Sequence, residues 1–190
     1  MAKRYEEDKS GIESNTVGVY RTAATVKGGR RFSFSGMVVC GDRKGRVGLG
    51  YGKANQVPNA IEKAQKKAKQ AMRNYPLTGT TIPHQVTGRF GACTVRLVPA
   101  SPGTGVIAGA AVRAVLDLVG VQDCLSKAYG STNNKNLTKA VIDGLQQLRS
   151  REQVESLRKI KIDKTRIEEA HSFDTEQAGA DVEAVVEVSE

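Results

Sequence analysis

The chain has 190 residues, a length that suits one domain or two small ones, and the reading favours two. Its 29 Lys and Arg outweigh 20 Asp and Glu, and eight of those acids lie in Glu168 to Glu190, which has no Lys or Arg, so residues 1–167 carry a formal +17. Cys40, Cys93 and Cys124 are odd in number, far apart and free of any CxxC pair, which excludes a disulfide framework and a zinc ribbon and marks them as small buried hydrophobes in a reducing compartment.

A body this basic attracts polyanions: nucleic acid first, an anionic membrane surface second, an acidic protein third. "MAKRYEEDKS" has no apolar signal region, and the most apolar stretch, Val106 to Leu118, is interrupted by Arg113 and Asp117. The expected compartment is therefore the cytoplasm.

Residues 1–15 are polar and expected to be mobile. "VGVYRTAATVKG" then reads as a β segment ending at Gly28-Gly29. "RRFSFSGMVVCGD" follows as a second strand. Its Phe32 and Phe34 share one face, expected to anchor in core, and Met37 to Cys40 is apolar enough to be buried on both sides. "GDRKG" is a turn, and "RVGLGYGKA" a third, glycine-rich strand; turns this short make the three strands antiparallel neighbours.

Pro58 opens a helix over 57–74 in which Val57, Ala60, Ile61, Ala64, Ala68, Ala71, Met72 and Tyr75 fall in one arc, while Lys63, Lys66, Lys67, Lys69 and Arg73 take the other side. Residues 77–82 read as a linker. Strand-like "HQVTGRFG" and "CTVRLVPA" come next, then "SPGTGVIAGAAVRAVLDLVG" opening a helix, and a last helix over 137–148 capped by Asn136 or Ser131. From Arg151 onward the mixed and then acidic sequence calls for no packed structure. The domains are accordingly expected at 16–76 and 83–155, with 156–190 a charged extension.

Three glycine-rich spots could cradle phosphate. Lys27, Gly28, Gly29, Arg30 and Arg31 offer unhindered N–H groups between cations, and Arg guanidinium groups grip phosphate in bidentate fashion. "GLGYGKA" lacks the third glycine of a dinucleotide fingerprint, and Ala54 stands where a P-loop needs Ser or Thr. Its glycines are expected to let an edge strand pack closely, and Lys53 is a candidate phosphate contact.

"PGTGVIAGAA" is the rival: Gly103, Gly105 and Ala108 match G-x-G-x-x-[GA], with Asp123 near the place of a ribose-binding acid. Pro99 and Pro102 interrupt the approach, and the preceding strands read as antiparallel, against a dinucleotide-dependent enzyme. His84 and His171 share no local motif with Cys or carboxylate, so neither a triad nor a metal centre is legible, and no cofactor is called for. A regulator of messenger or duplex RNA remains an open alternative on the same basic surface.

"TVKGGRRFSFSGMVVCGDRKGRVGLGYGKANQVPNAIEKA" and "PASPGTGVIAGAAVRAVLDLVGVQDCLSKAYGSTNNKNLTKAVIDGL" closely resemble the bacterial small-subunit ribosomal proteins of universal family five. The likeness runs over roughly residues 12–155. It implies an α+β protein with a β-β-β-α domain similar to double-stranded-RNA-binding folds, a split β-α-β domain after it, and a flexible acidic tail.

The function so implied is structural, not enzymatic: binding small-subunit ribosomal RNA, touching the neighbouring proteins numbered four and eight, fixing head against body, and supporting decoding accuracy near the messenger path. No membrane and no small-molecule substrate are implied. The family's glycine-rich loop falls on Lys27 to Arg31, and its second block on Ser101 to Gly109, including Gly103, Thr104 and Gly105, and on Tyr129 to Thr132. Arg21 and Lys53 complete the expected RNA contacts. The tail departs from the family and is expected to project to solvent or meet a basic neighbouring protein.

Overall fold

Along "GLGYGK" every second residue is glycine, so one face of that strand has no side chains. A helix can then approach the bare backbone: a Cβ added at Gly48, Gly50 or Gly52 would fall on the carbonyl oxygens of Ala68, Ala64 and Ala60 respectively. That face-to-face seating of alanine on glycine sets the geometry of the first half of the molecule.

The computed structural model describes residues 6–7, 11–163, 165 and 169–170. A five-stranded sheet has the order β1-β2-β3-β4-β5, from Glu6–Glu7 (β1), Glu13–Val26 (β2), Gly29–Gly41 (β3), Arg46–Ala54 (β4) and Arg73–Asn74 (β5), all antiparallel. Helix α1 (Val57–Gln70) packs its buried Ala60, Ala64 and Ala68 on this sheet and leaves Lys63, Lys66, Lys67 and Lys69 exposed. The helix stops at Gln70, four residues before the expected end, and the chain returns as β5. β2 begins at Glu13, inside the stretch expected to be mobile.

A four-stranded sheet of order β6-β7-β9-β8 follows, from Val86–Phe90 (β6), Cys93–Pro99 (β7), Val106–Ile107 (β8) and Cys124–Gly130 (β9). β8 runs parallel to β9 and the other pairs are antiparallel. Helices α2 (Ala110–Val119) and α3 (Asn134–Gln146) cover one face of it, and Gly88 repeats the glycine device, since a Cβ there would meet the Ala140 carbonyl oxygen. Asn133, not Asn136 or Ser131, caps α3 by accepting from the Lys135 N–H at 3.1 Å. Beyond Arg151 a short helix α4 (Arg151–Arg158) does form, because Ser150 and Gln153 make a reciprocal capping box, yet it buries no side chain.

The two sheets share a core. Val39 and Val47 of the first belong to one buried cluster with Val95, Leu97, Val115 and Leu145 of the second. Val38 and Cys40 point the other way, against Ala64 and Ala68. The run Met37 to Cys40 is thus buried on both faces, and each such side chain contributes about 1.5–3 kcal/mol by leaving water. The layers run α1, first sheet, α2 with α3, second sheet.

Backbone bonds join the halves as well. The Arg43 and Gly45 N–H groups, in the β3–β4 turn, donate to the carbonyls of Leu118 and Val119 at the end of α2, satisfying acceptors that a helix terminus otherwise leaves free. The stretch read as a linker is also bolted down: Ile82 and Thr81 are buried, the Thr80 carbonyl accepts from Gln122 and Asp123, and the Thr81 hydroxyl donates to the Asp123 carbonyl.

Candidate nucleic-acid interface

β4 pairs with β3 only as far as Phe34 opposite Ala54, whereas β2 and β3 continue together to Val26 opposite Gly29. The remainder of β2 and β3 is therefore a two-stranded arm that extends roughly 15 Å past the sheet. A two-residue turn, Lys27-Gly28, closes it, and residues 23–32 are all exposed. Gly29 follows at φ 141°, a conformation that any residue with a Cβ rarely adopts.

This placement corrects the expectation for the Phe–Ser alternation. Phe32 is 46% exposed and Phe34 only partly buried, while Ser35 is the fully buried member of the run. Among the described residues no strand or helix covers the arm, because the sheet there is only two strands wide. Phe32 instead lies under the Arg21 guanidinium, 4.7 Å from the ring centroid, a cation–π contact that stiffens the arm.

Register divides the cations between two faces. Arg21 stands opposite Phe34 and Arg30 opposite Thr25 on one face; Arg31 stands opposite Ala24 on the other. Arg30 and Arg31 therefore cannot grip a single phosphate together. They present one guanidinium to each side of the arm.

Lys53 lies opposite Ser35 at the arm's base, on the Arg31 face. There the structure gathers groups that sequence reasoning missed. Lys135 Nζ, from the first turn of α3, lies 4.6 Å from the Tyr20 ring centroid and 4.9 Å from that of Tyr51. A hydrogen bond with Ser35, then the charges of Lys135 and Lys53, hold the Tyr51 phenol below the ordinary tyrosine range. Tyr20 and Tyr51 sit on different strands and Lys135 on a helix of the other half, so no local spacing signals them.

The second expected block lies elsewhere. Thr104 folds back on Ser101, its N–H and hydroxyl both donating to that carbonyl, and Gly103 and Gly105 take φ of 80° and 75°. Thr104 and Gly105 line an open cleft of about 780 Å³ with Arg43, Arg113 and Asp117. Arg43 is just beyond the end of β3 opposite the arm, so the length of β3 sets the loop and the arm roughly 40 Å apart. The two expected contact regions are not one site.

The dinucleotide reading fails here on geometry. After Gly105 comes the short strand β8, not a helix, and the chain reaches α2 only at Ala110. Asp123 is 4% exposed and already committed: Oδ1 accepts the Gly105 N–H at 2.9 Å and Oδ2 the Thr80 hydroxyl at 2.8 Å. A carboxylate that ties the glycine loop to β9 cannot also hold a ribose. Among the described residues no group of His, Cys, Asp and Glu is placed to hold a metal, and no helix is long and apolar enough to cross a membrane.

An exposed cationic arm on a glycine-seated sheet, with the one candidate nucleotide acid used structurally, defines a class of basic scaffold rather than a nucleotide-dependent enzyme. Residues 12–76 match the family described as ribosomal protein S5, N-terminal domain, and residues 88–158 match ribosomal protein S5, C-terminal domain. Three curated relatives are called small ribosomal subunit protein uS5. The one from Rhodopirellula baltica is 53% identical over 150 residues, covering 79% of this chain and 85% of its own. The one from Rubrobacter xylanophilus is 54% identical over 153 residues, with 80% and 76% covered. The Psychromonas ingrahamii relative is 47% identical over 162 residues, with 85% and 97% covered.

The chain belongs to the ribosomal protein S5 family. It is accordingly a ribosomal protein, a structural component of the small subunit and not an enzyme, and its place is with the ribosome in the cytoplasm. Of the acidic tail, all but Glu169 and Ala170 lies outside the described residues.

Proposed function

We propose that this protein holds small-subunit ribosomal RNA through the β2–β3 arm, with Lys27, Gly28, Gly29, Arg30 and Arg31 at its tip and Arg21 and Lys53 toward its base. The observation that carries the reading is the arm itself: a two-stranded ribbon, exposed on both faces from Ala23 to Phe32, with cations on each face and no carboxylate between Arg21 and Arg31. An A-form helix is read by shape and phosphate, and a stiff ribbon with one guanidinium per side can bridge two phosphate strands. The β-β-β-α order of β2, β3, β4 and α1 supports kinship of this half with double-stranded-RNA-binding folds. On this reading the chain divides at 16–76 and 83–155.

The loop of Ser101, Gly103, Thr104 and Gly105, beside Arg43 and Arg113, serves a separate contact at the far end of β3. Contacts with the proteins numbered four and eight, stabilisation of head against body, and support of decoding accuracy near the messenger path rest on the family resemblance.

The test is filter binding of a small-subunit ribosomal RNA fragment across a salt titration. Each phosphate neutralised contributes roughly 0.9 to the slope of log affinity against log salt, so Arg30→Ala/Arg31→Ala should flatten that slope by roughly 1.8. A variant that binds with the parent's slope would remove the arm from the interface.

A further inference from the structure

Among the described residues, the second sheet has one covered face and one bare one. α2 and α3 take the side of Val95, Leu97 and Cys124, and alternation sends Arg89, Arg96, Lys127, Tyr129, Leu125 and Ile107 to the other. Arg96 pairs across to Lys127, and all six residues are exposed, Ile107 at 55% and Tyr129 at 51%. Among the described residues of these strands no carboxylate stands on that face. It joins three cations to an apolar corner, a combination that an acidic segment containing aliphatic residues would satisfy on both counts.

Such a segment exists in this chain. Glu168 to Glu190 holds eight carboxylates, and within it Val182, Ala184, Val186 and Val188 are interspersed with Asp181, Glu183 and Glu187. The chain also leaves the fold beside the right sheet. The Arg149 N–H donates to His84 Nε2 at 3.2 Å, which seats the start of α4 next to the entry of β6, and Gln85 there accepts from Arg96. The Ile162 N–H donates to Glu155, turning the chain back along α4. Four strands span only about 15 Å, and past the helical turn in which the Glu169 N–H donates to the Thr165 carbonyl, five extended residues beyond Ala170 would cover that distance.

We infer that the acidic segment Glu168 to Glu190 docks on the open face of the β6-β7-β9-β8 sheet of its own chain, its carboxylates against Arg89, Arg96 and Lys127. The segment thereby screens a cationic surface until a stronger partner displaces it.

Lys127 makes the contact measurable, because a carbodiimide joins a carboxylate to a lysine amine only when the two touch. The full chain, mixed as isotope-labelled and unlabelled copies, is coupled at low salt and mapped by mass spectrometry. The expected result is linkage of residues 168–190 to Lys127 within one chain, lost at 1 M salt, where the screening length falls to about 3 Å, and lost in Arg89→Glu/Arg96→Glu, which reverses the surface while keeping the reporter lysine. Linkage only between labelled and unlabelled copies would assign the face to a second molecule and overturn the inference. Linkage confined to Lys63, Lys66, Lys67 and Lys69 of α1, or unchanged in the double variant, would overturn it too.

Discussion

The carboxylate of Asp123 accepts the backbone N–H of Gly105 at 2.9 Å, and through its other oxygen it also holds the Thr80 hydroxyl. One buried side chain thus ties the glycine loop and the segment joining the two sheets to the start of β9. Asp123→Ala leaves two donors without their acceptor and should cost about 1–3 kcal/mol, lowering the melting temperature by roughly 2–4 °C per kcal/mol in a chain of this size. Asp123→Asn keeps the oxygen that faces Gly105 and should lose less. Equal melting of Asp123→Ala and the parent would show that the clamp contributes nothing.

Glycine substitutions should split into two sharply different groups. At Gly50 an added methyl collides with the Ala64 carbonyl of α1, and at Gly88 with that of Ala140 in α3, both backbone atoms that cannot swing aside. Either change to Ala should cost about 3 kcal/mol or more, or prevent folding, because the helix must lift from its sheet. Gly28 has nothing within 4 Å of an added Cβ, so Gly28→Ala should alter stability by less than about 0.5 kcal/mol. Urea unfolding of the three variants checks the contrast, and similar midpoints would refute the seating.

The tyrosines should titrate over a widened range. Tyr51 is held below the ordinary value, chiefly by its hydrogen bond with Ser35, and burial pushes Tyr75 above it. Ultraviolet titration in alkali should show an early phenolate that Ser35→Ala moves upward and Lys135→Gln moves less. For stability the signs oppose. The contribution of Tyr51 is present only above the ordinary tyrosine pKa and is lost as pH falls through its lowered value. The contribution of Tyr75 is present below the ordinary value and is lost as pH rises through its raised one.

Thiol chemistry should be silent until the protein unfolds. Cys40, Cys93 and Cys124 are all buried, and burial pushes the Cys124 thiol up to about 11, so Cys124 holds almost no thiolate at neutral pH. Iodoacetamide at pH 8 should leave the folded chain unmodified and label three sites in denaturant. Labelling of Cys124 in the folded state would contradict its placement.

Much of the fold was legible from short spacings. The turn at the Gly28-Gly29 pair, which the structure shifts by one residue to Lys27-Gly28, the apolar arc of α1 and the apolar run Met37 to Cys40 each announce a local geometry, because turn conformation and side-chain period depend on near neighbours. Phe32 was misread for the same reason. Alternation reports a pleat but not whether a neighbouring strand or helix is there to cover it, and β4 stops pairing at Phe34. The Gly103-Thr104-Gly105 spacing likewise matched a nucleotide motif, since spacing cannot show that Asp123 is already bonded.

From its amino acids alone this protein is a basic chain of strand- and helix-forming segments whose glycine-rich cationic tip invites phosphate, because charge, side-chain period and turn chemistry are properties of residues in sequence. The tertiary structure decided what those residues face. It set Arg30 and Arg31 on opposite sides of a free ribbon, moved the Ser101 to Gly105 loop to the far end of β3, and brought Lys135 between Tyr20 and Tyr51. Each depends on strand register or on helix-to-sheet packing between distant segments, and such contacts leave no trace in local spacing.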